Sequence, residues 1–126
     1  MTRLGQLERS VMDSAWTFAE RAPGEPFTAR DIAATLPSRA YTTILTVIDR
    51  LTRKGFLERI RDGRSHHYLA TGTRETYVAA LMHEALASTV DREAALVHFA
   101  KTVTPEQATV LRNVLASVER PGKGRR

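Results

Sequence analysis

Apolar residues recur at three- and four-residue intervals along the first twenty positions: Leu4, Leu7, Val11, Met12, Ala15, Phe18 and Ala19. That spacing lays one apolar stripe on a helix, predicted from about Arg3 to Glu20, with Trp16 beside it. "APGEP" (22–26) ends it. Phe27 and Thr28 read as a short strand. Thr28 with Asp31 three residues on resembles a capping box, so a short helix is predicted over about 29–36. "PSR" (37–39) breaks the chain before a third helix from about Ala40 to Lys54, with Ile44, Val47, Ile48 and Leu51 inward and Leu45 flanking. Gly55 follows Arg53 and Lys54 where a C-cap glycine belongs. The period then drops to two. "FLERIR" and "SHHYLA", joined through Asp62-Gly63, predict a β-hairpin.

The remainder is helical in pattern. Thr73 is placed to cap a helix over about 74–88 with Val78, Leu81, Met82, Ala85 and Leu86 on one face. Asp91 is placed to cap a second over 91–103. "TPEQ" (104–107) puts Thr at N-cap, Pro at N1 and Gln at N3 of a third, which carries Val110, Leu111, Val114, Leu115 and Val118. "RPGKGRR" reads as a disordered basic tail. Three apolar-striped helices appended to a complete small domain need a surface to bury against, and a second copy of the chain supplies one.

Charge changes the picture. The 126-residue chain carries +5 overall, and residues 39–68 alone hold seven Arg or Lys against three Asp or Glu. Clustered positive charge suggests a polyanionic partner. With no cysteine, disulfides, thiolate metal sites and cysteine catalysis are excluded. No apolar run reaches signal-peptide or membrane-span length, so a soluble, cytoplasmic protein without membrane contact is expected.

Two short helices, a tight break and a basic hairpin follow the order of a winged helix-turn-helix, whose second helix enters the DNA major groove. The third predicted helix spends four positions on threonine, a residue that costs up to about 0.7 kcal/mol against alanine. With the apolar stripe inward, Thr42, Thr46, Asp49, Arg50 and Arg53 face outward and Thr43 lies at the margin. A threonine there offers a hydroxyl to phosphate or base and a methyl to thymine. Arg50 is the candidate for a bidentate guanine contact, and Asp49 is expected to orient Arg50 or Arg53. Thr52 lies on another side and has no assigned role. The hairpin carries Arg59 and Arg61 before its turn and Arg64, His66 and His67 after it, and two arginines flanking a glycine turn can reach phosphates or enter a minor groove. His66 and His67 alternate, so one is expected to face the core and the other solvent. Neither they nor the distant His83 and His98 make a ligand set, and no metal or cofactor is expected. The carboxylates Asp13, Asp31, Asp49 and Asp62 sit on different elements, which argues against a nuclease or another enzyme.

"YTTILTVIDRLTRKGFLERIRDGRSHHYLA", with "LGQLERSVMDSAW" upstream and "EAALVHFAKTV" downstream, resembles the BlaI/MecI (penicillinase-repressor) family of winged-helix transcriptional repressors. The resemblance covers about residues 3–118. It implies a mainly α fold with a small β-wing, divided into a DNA-binding domain (1–72), a helical dimerisation region (73–120) and the tail (121–126). It implies a homodimer on a dyad-symmetric promoter operator, contacted through Tyr41, Thr42, Thr43, Thr46 and Arg50 and through the wing, where Arg61, Arg64 and His66 are the candidates; Arg39 and Arg53, from the basic window and the outward helix face, complete the expected DNA-binding set. The implied dimer interface comprises Val78, Leu81, Met82, Leu86, Val110, Leu111, Val114, Leu115 and Val118. Family members induced by a sensor-linked protease are cut at an Asn-Phe bond. The matching positions are His98 and Phe99, so His stands where they have Asn. Copper-responsive relatives carry a cysteine cluster that this chain lacks. The alternatives are a family regulator with a different ligand or partner signal, and a winged-helix protein-interaction module.

Overall fold

Buried apolar spacing decides where each element lies in the computed structural model, which describes residues 3–119. The elements are α1 (Gln6–Arg21), α2 (Ala29–Thr35), α3 (Tyr41–Arg53), β1 (Leu57–Asp62), β2 (Ser65–Ala70), α4 (Arg74–Ala87), α5 (Arg92–Thr102) and α6 (Pro105–Val118). The expected tail at 121–126 lies outside the described residues. The chain divides into two units, one ending at Met82 and one beginning at His83.

In the first unit, the α1 stripe (Val11, Met12, Ala15, Trp16) meets Ile32 of α2 and the inward stripe of α3, Ile44, Val47, Ile48 and Leu51. Each fully buried aliphatic side chain contributes about 1.5–3 kcal/mol. α1 starts at Gln6 rather than at Arg3, because Glu8 turns back on the N-cap: its Oε1 accepts from the Gly5 N–H at 2.8 Å. The predicted Thr28–Asp31 box forms, with Thr28 Oγ1 accepting from the Asp31 N–H at 3.1 Å and Asp31 Oδ2 from the Thr28 N–H at 2.9 Å. Capping claims Thr28, so the expected strand shrinks to a bridge in which Phe27 and Tyr68 exchange both backbone hydrogen bonds.

α3 ends in a Schellman turn: Phe56 N–H donates to Leu51 O at 2.9 Å and Gly55 N–H to Thr52 O at 3.1 Å. Gly55 has φ 89°, which only glycine adopts cheaply. The hairpin follows, with register Leu57↔Ala70 through Asp62↔Ser65. Its turn is centred on Gly63-Arg64, not on Asp62-Gly63 as the sequence suggests. Gly63 has φ 62° and no described non-glycine residue has positive φ. That suits a II′ turn, with glycine first, whereas a I′ turn on Asp62-Gly63 needs positive φ at both residues.

The first turns of α4 belong to this unit, beyond the domain boundary expected at 72/73. Tyr77, absent from the expected core, is buried: its ring lies 5.5 Å from that of Trp16, and its hydroxyl accepts the Leu4 N–H at 3.0 Å. Leu81 packs against the same core. Arg74 bonds Asp13 at 2.9 Å and Glu20 at 3.2 Å while stacking over Trp16. In the second unit Asp91 caps α5 and Thr104 with Gln107 caps α6, as expected. Neither helix has a buried residue.

Glu8 is the buried charged side chain of the core, 6% exposed. Its Oε2 accepts from Lys54 Nζ at 2.7 Å, which ties α1 to the end of α3 across 46 residues. The Lys54 hydrogen bond first, and the Gly5 N–H second, hold its carboxyl below the ordinary range, against the opposing effect of burial.

Two outcomes are expected. Ile48→Ala leaves a cavity under α3 and should cost about 2–5 kcal/mol in urea unfolding. Glu8→Gln should cost about 1.5–3 kcal/mol near neutral pH, the worth of a hydrogen bond to a charged group. Because the folded pKa is depressed, the Glu8 advantage is full above the ordinary glutamate pKa of about 4.3 and fades as pH falls through the lower folded value. The wild-type and variant stability curves should therefore converge on acidification; parallel curves would contradict this role.

Candidate nucleic-acid interface

α3 is built to be held from one side. With Ile44, Val47, Ile48 and Leu51 buried, Tyr41, Thr42, Thr43, Leu45, Thr46, Arg50 and Arg53 are exposed. Its first turn has Ala40 at N-cap, whose methyl caps nothing, so the leading amide N–H groups meet no side-chain acceptor. Tyr41 stands beside that turn, with the Arg30 guanidinium 4.9 Å from its ring centroid.

The threonines divide. Thr42 and Thr43 make no side-chain hydrogen bond to another described residue, and their hydroxyls face solvent. Thr46 Oγ1 donates to the Thr42 carbonyl at 3.0 Å, which leaves its lone pairs and methyl outward. Thr52, without a role from the sequence, is half-buried and donates to the Ile48 carbonyl at 2.8 Å. Its hydroxyl is satisfied inside the helix, and its carbonyl receives Gly55 in the Schellman turn.

Asp49 orients Arg53, as expected, but not Arg50. Asp49 Oδ2 meets Arg53 Nη1 at 2.9 Å, and Oδ1 meets Arg59 Nη2 of β1 at 3.0 Å. Arg50 points the other way round the helix, 3.9 Å from Glu8 Oε2, and stays 48% exposed. Residues 49 and 50 project about 100° apart on a helix, so a side chain paired to α1 cannot also meet the wing. The Asp49 hydrogen bond first, with Tyr68 second, holds the Arg59 guanidinium even further above its ordinary pKa.

Cross-strand partners share a hairpin face, so Leu57, Arg59, Arg61, His66, Tyr68 and Ala70 lie on one side. Leu57 and Tyr68 are buried, Arg59 stacks 5.8 Å over Tyr68, and Arg61 and His66 extend the row toward the tip. The two histidines do not divide into core and solvent as expected. His66 is on the core-side face but beyond what the core covers, and is exposed. His67 is half-buried on the opposite face, paired with Ile60. Arg39, Arg61 and Arg64 are exposed and make no ion pair among the described residues. The structure thus joins α3 and the wing through Asp49–Arg59, a link that left no signature in the sequence. Glu8 was missed too; its only signal was a carboxylate at N3 of α1.

His98 and Phe99 lie inside α5, and both are exposed. Val110, Leu111, Val114, Leu115 and Val118 are exposed on α6, as is Met82 on α4. Among the described residues, no helix is long and apolar enough to cross a membrane.

The sequence profile of the penicillinase repressor family matches residues 4–117. The chain is 44% identical, over 132 aligned positions, to proteins named transcriptional regulator BlaI in two strains of Mycobacterium tuberculosis, covering 100% of this chain and 91% of theirs. Among solved structures, a MarR family protein from Bacillus stearothermophilus superposes with TM-score 0.46 at 15% identity, over 93% of this chain and 74% of that one. Oxidised MarR from E. coli gives 0.45 at 20% identity, over 89% and 73%. By its family match and its full-length relatives, the chain belongs to the penicillinase repressor family: it is a transcriptional regulator, not an enzyme.

Proposed function

We propose that the protein is a homodimeric repressor that occupies a dyad-symmetric operator in promoter DNA, acting in the cytoplasm on genes of β-lactam resistance or a related response. The observation that carries this reading is the outward face of α3, where Thr42, Thr46 and Arg50 stand clear of the core beside an uncapped helix start. Free amide N–H groups at a helix N-terminus suit a phosphate, and the side chains one turn further in suit base edges. Arg39, Arg61, Arg64 and His66 extend the contact to the backbone on either side. A protein-interaction module would need no such concentration of exposed arginine and threonine.

The dimer rests on a different observation. α5 and α6 have no buried residue, while Leu111 and Leu115 are 39% and 53% exposed. An apolar face of that extent is covered in a stable protein, and a second copy presenting the same face satisfies it by two-fold symmetry. On α6, Val110, Val114 and Val118 are exposed as well, and on α4 Val78, Met82 and Leu86 are assigned to the same proposed interface, with Leu81 serving the N-terminal core too. Two DNA-binding units per molecule then double the phosphate contacts.

For release, proteolysis between His98 and Phe99 requires α5 to open, since a helical peptide bond does not fit an extended protease cleft. α5 buries no residue within its own protomer, so the proposed partner copy is what opposes that opening. A ligand or partner signal is the second reading, favoured by His98 standing where proteolysed relatives have Asn.

Selection from random duplexes followed by quantitative shift assays tests the DNA reading: affinity should fall steeply with salt, and absence of binding at moderate salt would refute it. Arg50→Ala should cost about 1–3 kcal/mol of discrimination between the selected and a scrambled duplex. Full retention of discrimination would remove Arg50 from the base-reading set. Leu111→Glu and Leu115→Glu should each give monomers in sedimentation velocity and weaken operator binding, whereas an unchanged sedimentation profile would exclude α6 from the interface.

A further inference from the structure

We infer that Asp49 is a specificity-determining residue of the α3 face, which acts by holding back two arginines from sequence-independent phosphate binding. The inference rests on the DNA-binding reading above and deepens it.

Asp49 is the acidic residue of α3, and it sits in the middle of the outward stripe, one turn past Thr46 and one turn before Arg53. A carboxylate is an unfavourable group to present to a polyanion. Here both of its oxygens are engaged, Oδ2 by Arg53 at 2.9 Å and Oδ1 by Arg59 at 3.0 Å, while the side chain stays 48% exposed. Arg59 is in turn seated over the ring of Tyr68, whose backbone is bonded to Phe27. The wing cation is therefore fixed to the core at one end and to the recognition helix at the other.

Two cations and one anion in one cluster leave a single net positive charge where the sequence supplies two. Any duplex phosphate that approaches Arg53 or Arg59 also approaches the Asp49 carboxylate. That repulsion is the same for every sequence, so it weakens binding where phosphate contacts are all there is. On a matched site the balance differs. The carboxylate can accept from a cytosine N4 amino group, and a guanidinium has more donors than one carboxylate oxygen occupies, so Arg53 and Arg59 still reach the backbone. The penalty then falls mainly on wrong sequences, which is how a repulsive element creates discrimination. Glu8, the carboxylate beside Lys54 and Arg50, is buried and serves the fold, so it does not share this role.

The test uses the full chain, a duplex recovered by wild-type selection and a scrambled duplex of equal composition, followed by fluorescence anisotropy over a salt series. Asp49→Asn keeps the shape and removes the charge. It should tighten scrambled-duplex binding several-fold, steepen the log–log salt slope by about 0.9 for each additional phosphate neutralised, and lower the selected-to-scrambled affinity ratio. Asp49→Glu should restore the ratio toward wild type, a rescue that a purely shape-based role would not produce. Asp49→Ser, shorter and neutral, should repeat the Asn result, and thermal melts establish that each variant is folded. Unchanged scrambled affinity and slope in the neutral variants, or equal weakening on both duplexes, would overturn the inference. Wild-type protein that binds neither duplex would overturn the DNA reading itself, an outcome read without any variant.

Discussion

The burial of one stripe on α3 is the constraint on which the rest of the molecule depends. Ile44, Val47, Ile48 and Leu51 are the seam between α1, α2 and the hairpin, and they leave the helix only one face to present outward. Burial of these four side chains outweighs the weak helix propensity of the threonines between them, because packing of an amphipathic face stabilises a protein helix more than propensity does. The threonines thus sit on a helix that does not need them for stability, and two of them, Thr42 and Thr43, keep their hydroxyls free of other side chains.

Charge is arranged around that helix with the same economy. Glu8 reaches under it to Lys54, where burial of the carboxylate makes loss of its partner costly. Asp49 works above it, in solvent, where each ion pair by itself is worth little. Its effect comes from geometry, since one carboxylate bridges the helix and the wing and so defines their relation. Arg50, between these two, has the looser partner and keeps half its surface open.

The second unit shows the opposite condition. Its helices are well capped, by Asp91, Thr104 and Gln107, yet nothing in α5 or α6 is buried. Local signals suffice to shape these two helices, but a stripe of valines and leucines in water is not a stable end state. The proposed dimer contact rests on this exposed stripe.

Helix and strand identities were legible in the sequence because they depend on spacing: the α3 stripe, the Thr28–Asp31 and Thr104–Gln107 boxes, and the change of period after Gly55 are all local patterns. The outward residues of α3 were legible for the same reason, since choosing one face of a helix defines the other. What only the tertiary structure decided are the relations between distant positions. Glu8 meets Lys54 across 46 residues, Tyr77 takes the Leu4 amide across 73, and Asp49 holds Arg59 instead of the neighbouring Arg50. The turn centre moved to Gly63-Arg64 because strand register, a property of two strands together, chose it. Periodicity reports which side of an element is apolar; it carries no information about which charged or aromatic group will stand opposite, because that follows from how the elements pack.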